Sequence, residues 1–169
     1  MSVLYWVSMS MSKILVAIDF SDAFEKVIKE AEVLAKALCA SVTLLHVTEP
    51  EPGPVLTAYE PDPLMGGIAP DPQAMRDAVA ERYHQEHDRL QEISRQLREQ
   101  GVDCRALLVQ GHGANEILEE ADRIPADMIL LGSHGKGMAA KLLLGSTSEG
   151  VVRKAKVPVH IVPTRKKSN

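Results

Sequence analysis

Five aliphatic runs of strand length recur along this chain, with a helical pattern between each successive pair. They are KILVAID at residues 13–19, SVTLLHV at 41–47, CRALLV at 104–109, DMILL at 127–131 and VPVHIV at 157–162. Apolar residues in these runs are nearly continuous rather than alternating, so both faces of the sheet they build must be covered. Between them the apolar spacing switches to three and four. Phe24, Val27, Ile28, Ala31, Leu34, Ala35 and Leu38 form one stripe over residues 22–38, with Ser21 or Asp22 as N-cap. Residues 74–100 carry Val79, Tyr83, Leu90, Ile93 and Leu97 on one face and stop at Gly101. Residues 114–123 turn Ile117, Leu118 and Ala121 inward, and residues 146–155 are expected to bury Val151 and Val152. Strictly alternating strands and helices require parallel strands joined by crossovers. The expected fold is therefore α/β: a doubly wound, five-stranded parallel sheet with helices on both faces, Rossmann-like in architecture. Such sheets take ligands beyond the carboxyl ends of their strands, where the strand order reverses.

A length of 169 residues suits one domain, assigned to residues 13–164, with an N-terminal extension at 1–12 and a basic tail at 165–169. Met9 and Met11 leave the true start site open. Residues 50–73 interrupt the alternation: seven of the chain's 10 prolines fall between 50 and 72, so no regular element is expected there. A loop that long is either a surface insertion or a lid. The net charge of -4 argues against a nucleic-acid surface. No apolar stretch is long enough for a membrane span and no basic n-region marks a signal peptide. Cys39 and Cys104 show no metal-ligand spacing and read as two buried free thiols, which suits a reducing cytoplasm.

The chemistry concentrates in residues 132–146, GSHGKGMAAKLLLGS, between the fourth strand and the last helix. Glycine lets backbone approach a ligand closely, and a helix start offers unpaired N–H groups at the positive end of its dipole, so this is where an anion would bind. Neither Lys136 nor Lys141 is followed by Ser or Thr, which excludes a Walker A loop. The dinucleotide fingerprint is excluded too, because it follows the first strand and this loop follows the fourth.

The spacing Gly132-x2-Gly135-x9-Gly145-Ser146, with Asp19 ending the first strand and the terminal VPVHIVP, resembles the ATP-binding branch of the universal stress protein family. What the resemblance implies is specific. Ala17 and Asp19 would lie against the nucleoside, Val47 would give adenine a backbone contact, and Leu131 would sit beside Gly132 at the ribose. Gly135, Gly145, Ser146 and Thr147 would hold the phosphates of ATP, which would carry Mg or Mn with no protein ligand visible. The resemblance also implies a homodimer through the terminal strand, residues 157–162. Proline on both sides of that strand is what a sheet edge shows, and an unpaired edge invites association.

Each of these residues has a plainer use. Ser146 and Glu149 make an S-x-x-E capping box, and Asp19 could cap the turn that follows it. His134 looks like a general base but has no evident carboxylate to orient it. His84, His87 and Asp88 share a solvated helix face more readily than a metal, while His46 and His160 read as packing residues in strands. The favoured function is an ATP-binding, stress-associated regulatory protein. A slow ATPase or phosphotransferase at the same site, and a nucleotide-independent module with a protein partner, are the alternatives.

Overall fold

The computed structural model describes residues 12–21, 24–50, 71–134 and 144–164. The readings of the N-terminal extension, the basic tail, most of the proline-rich stretch, Asp22 and Gly135 lie outside the described residues. Nine elements alternate as the sequence implies: β1 (Lys13–Ile18), α1 (Phe24–Leu38), β2 (Ser41–Thr48), α2 (Pro72–Glu99), β3 (Cys104–Gln110), α3 (Gly113–Arg123), β4 (Met128–Gly132), α4 (Ser146–Lys154) and β5 (Val159–Val162). The strands form one parallel sheet in the order β3-β2-β1-β4-β5. The chain winds outward from β1 to β3, then crosses back to β4 on the other side of β1. That reversal opens a crevice between the ends of β1 and β4.

Period-two alternation divides the strand residues between two cores. Ile14, Val16, Val42 and Leu44 point to one face, where Val27, Ala31 and Ala35 of α1 and Leu90, Ile93 and Leu97 of α2 cover them. Leu15, Leu45, Ile129 and Leu131 point to the other, under Ile117 and Ala121 of α3 and Val151 of α4. Each fully buried aliphatic side chain contributes about 1.5–3 kcal/mol, so a strand with both faces covered is held twice over.

Four expectations need correction. Val152 is 45% exposed, because the second inward position of α4 is Ser148, three residues before Val151 on the same face. Leu38 is 44% exposed as the last residue of α1. Cys39 is exposed, in a left-handed turn with φ 50° that ends α1, and only Cys104 is buried. The final strand begins at Val159 rather than 157, since Pro158 has no N–H to donate, although its carbonyl still accepts from the Ile129 N–H at 3.0 Å.

Helix α2 starts two residues earlier than its apolar pattern. Asp71 caps it, accepting from the Gln73 N–H at 2.9 Å, with proline in the first turn. Leu90, Ile93 and Leu97 are buried, whereas Val79 and Tyr83 are only half-buried. The first half of α2 is thus not part of the core that its second half completes, and its residues Arg82 and Glu86 border the crevice.

Candidate functional site

β1 delivers Ala17 opposite Leu131 of β4 and Leu45 of β2, so these residues meet at the crevice floor. After Ile18 the chain turns sharply. Asp19 accepts the Ser21 N–H at 3.1 Å, which realises the turn-capping role open to it. Phe20 adopts φ 54° although it is a bulky residue, and backbone held there costs about 1–3 kcal/mol. Its surroundings hold it in place: the Phe20 ring lies 4.4 Å from the His46 ring and edge-on to Phe24, and the Arg89 guanidinium sits over both phenyl rings at 4.7 and 4.9 Å. His46, buried in β2 as a packing residue, places Nδ1 2.8 Å from the Ile18 carbonyl oxygen and fixes the end of β1. Beyond that point Val47 and Thr48 run on past β1, paired with β3.

On the β4 side, a clasp fixes the first limb of the glycine-bearing stretch. Thr164 N–H donates to Ser133 Oγ at 3.0 Å, and the two hydroxyls lie 3.1 Å apart. The His134 N–H donates to Thr164 Oγ1 at 3.2 Å, and His134 Nδ1 lies 2.9 Å from Ser133 Oγ. Gly132 is glycine because Thr164 leaves no room: a Cβ there would fall 2.8 Å from the Thr164 methyl. The stretch returns with the Gly145 N–H donating to the Ser133 carbonyl at 2.8 Å, and Ser148 Oγ donates to the Gly132 carbonyl at 2.8 Å.

α4 then begins without a capping box. Gly145 is the N-cap, in extended conformation and with no side chain to offer, while Ser146 is the first helical residue. The Glu149 N–H goes to the Gly145 carbonyl at 2.8 Å, and the Glu149 carboxylate pairs with Arg153 at 2.7 Å. Ser146 and Thr147 are exposed in the first turn of α4, where a helix leaves its N–H groups without intrahelical partners.

Between these limbs lies a cavity of about 680 Å³ at the carboxyl edge of the sheet. Ala17, Asp19, Val47, Leu131 and Gly132 line it, and Gly145, Ser146 and Thr147 close its α4 end. Arg82 and Glu86 of α2, His46 and Thr164 also line it, and none of these was singled out as a site residue from the sequence. Periodicity could place Arg82 and Glu86 on a polar helix face but not say what that face overlooks. Among the described residues no group of three or more His, Cys, Asp or Glu could hold a metal. His87 and Asp88 are exposed, 3.7 Å apart on the surface of α2, and His160 reaches Glu30 of α1 at 3.2 Å. No helix of the described residues is long and apolar enough to cross a membrane.

The family profile described as the universal stress protein family matches residues 11–163. The chain belongs to that family. Among universal stress proteins it is 30% identical to MJ0531 of Methanocaldococcus jannaschii, over 92% of this chain and 84% of that one. The solved structure of MJ0577 superposes with a TM-score of 0.72 at 27% identity, covering 93% of this chain and 98% of the other. A universal stress protein from Archaeoglobus fulgidus, solved in complex with dAMP, shares the fold at TM-score 0.56 and 21% identity, over 90% and 98% of the two chains.

Proposed function

We propose that this universal stress protein binds ATP in the cavity between β1, β2 and α4 and acts as a nucleotide-dependent regulatory protein in a stress response. The observation that carries the reading is the start of α4. Its cap is a glycine, and Ser146 and Thr147 of its first turn line a cavity of about 680 Å³, where a helix start leaves N–H groups unpaired. A cavity of that size is within the ordinary range for small-molecule sites, roughly 300–1,000 Å³. Phosphates would lie there, with the ribose near Gly132 and Asp19 and the base at the end of β2 beside Val47. The complex of the Archaeoglobus fulgidus protein with dAMP supports an adenine nucleotide. A divalent cation, Mg or Mn, would arrive on the phosphates, a reading that suits a donor set of hydroxyls and N–H groups rather than an all-protein cage.

The geometry favours binding over turnover. His134 directs Nδ1 to the Ser133 hydroxyl and its backbone to Thr164, which suits a structural pin better than a general base. β5 ends the sheet, pairing within the chain with β4, and we infer that the strand region 157–162 pairs with a second copy in a homodimer. Sedimentation should then give twice the chain mass, and a monomer would refute the pairing.

Mg-ATP at about 100 times its dissociation constant should stabilise the fold by roughly 2.7 kcal/mol. At about 2–4 °C per kcal/mol for a domain of this size, the melting temperature should rise by about 5–11 °C. An unchanged melting temperature with ATP, ADP and AMP at millimolar concentration would refute the reading.

A further inference from the structure

The turn that carries Asp19 is held from behind. Asp19 and Ser21 both line the cavity, whereas Phe20 between them is 8% exposed and belongs to the core. Phe20 sits at φ 54°, in the left-handed region that a bulky side chain keeps only where its surroundings impose it. Asp19 Oδ1 accepts the Ser21 N–H at 3.1 Å, a bond that spans Phe20. The carboxylate and the Phe20 torsion are therefore coupled. Were Phe20 to relax to a negative φ, the Ser21 N–H would swing away and Asp19 would lose the bond that orients it.

The packing of one ring imposes that torsion. The His46 ring lies 4.4 Å from Phe20, Phe24 meets it edge-on at 6.0 Å, and the Arg89 guanidinium covers both phenyl rings, 4.7 Å from the centre of Phe20 and 4.9 Å from that of Phe24. A planar cation stacks on aromatic faces in a way that a compact ammonium does not. Arg89 is an exposed residue of α2, so burial does not explain its place over the rings. Arg82 and Glu86, which line the cavity, precede it by seven and three residues on the same helix face. We propose that Arg89 is a positioning residue for the sugar of the bound nucleotide: through Phe20 it holds Asp19 where the carboxylate accepts a ribose hydroxyl. This rests on the reading that the cavity takes ATP with its ribose beside Asp19, and it deepens that reading with a residue that acts without touching the ligand.

The test compares ATP with 2′,3′-dideoxy-ATP, which lacks both ribose hydroxyls, by equilibrium titration of the full chain in the presence of Mg. Wild type should bind ATP at least about tenfold more tightly, the scale of a hydrogen bond to a charged acceptor. Arg89→Ala should cut that preference to less than about threefold while affinity for dideoxy-ATP stays within about twofold of wild type. Arg89→Lys keeps the charge without the planar stack and should give an intermediate preference, even if the alanine variant fails to fold. In an Asp19→Ala background, Arg89→Ala should change ATP affinity by less than about twofold, because the contact it supports is already gone. An unchanged preference in Arg89→Ala, an equal loss of both nucleotides, or an Arg89 effect that persists without Asp19 would overturn the positioning role and leave nucleotide binding standing. Equal binding of the two nucleotides by wild type would do the same. Binding of neither nucleotide by wild type would overturn both.

Discussion

Replacing Gly132 by alanine probes the clasp that fixes the chain leaving β4 beside the cavity. The new Cβ would lie 2.8 Å from Thr164 Cγ2, with the next atoms, the His134 carbonyl oxygen and Val27 Cγ2, at 3.5 Å. Thr164 cannot swing aside cheaply, because it is buried and its hydroxyl and N–H are held by Ser133 and His134. Overpacking of this kind costs about 1–3 kcal/mol. The loss of glycine's freedom in the unfolded chain returns about 0.4–1 kcal/mol. The net loss of up to about 2.6 kcal/mol lowers the melting temperature of a domain this size by up to roughly 10 °C. Thr164→Ser removes the clashing methyl and keeps the hydroxyl. Alone it should cost somewhat under about 1 kcal/mol for the lost methyl burial. In the double variant the contact at 2.8 Å is gone, and the distances at 3.5 Å are ordinary ones. Urea unfolding of all four proteins should therefore give a favourable coupling of about 1 kcal/mol or more. Additivity within about 0.5 kcal/mol would refute the claim that Thr164 is what makes Gly132 a glycine.

Two further outcomes follow from charge and exposure. A thiol reagent should label Cys39 quickly in the folded protein and reach Cys104 only on unfolding, since burial shields Cys104 and pushes its thiol pKa up; two equally fast thiols in the folded protein would refute this. Hydrogen bonds from Arg95, then from Gln96, hold the Glu92 carboxylate down to about 2 from an ordinary 4.5. The folded state thus prefers it ionised, so its contribution is fully present above about pH 4.5 and is lost as pH falls through about 2. An NMR titration of Glu92 should show that low midpoint, and Arg95→Gln should move it back toward 4.5.

The order of elements was legible in the sequence because aliphatic runs mark the strands, most fully in the central β1 and β4, whose residues are almost all apolar, and less so at the edges, where β3 and β5 are only partly buried. Gly101 was legible as the stop of α2, and it does adopt a positive φ of 84°. Errors arose where a residue's role depends on one turn of geometry. Ser146 and Glu149 have the spacing of a capping box, yet the helix starts one residue earlier than that box requires, so Gly145 takes the cap and Glu149 turns to Arg153. Val152 looked buried beside Val151, but a rotation of about 100° per residue carries it to the surface and makes room for Ser148. Residues whose placement depends on distant contacts could not be read at all. Thr164 follows the last strand and meets Gly132 only once β5 pairs with β4. Arg82 and Glu86 reach the cavity because α2 continues past its buried half, and a polar helix face carries no mark of what it overlooks.

A crystal structure of the protein grown with Mg-ATP would show whether the nucleotide occupies the cavity at the carboxyl edge of the sheet. Phosphate oxygens should lie within hydrogen-bond distance of the Ser146 and Thr147 N–H groups, the ribose beside Gly132 and Asp19, and the base against the end of β2 at Val47. Nucleotide density elsewhere on the molecule, or none in this cavity at millimolar ATP, would contradict this placement.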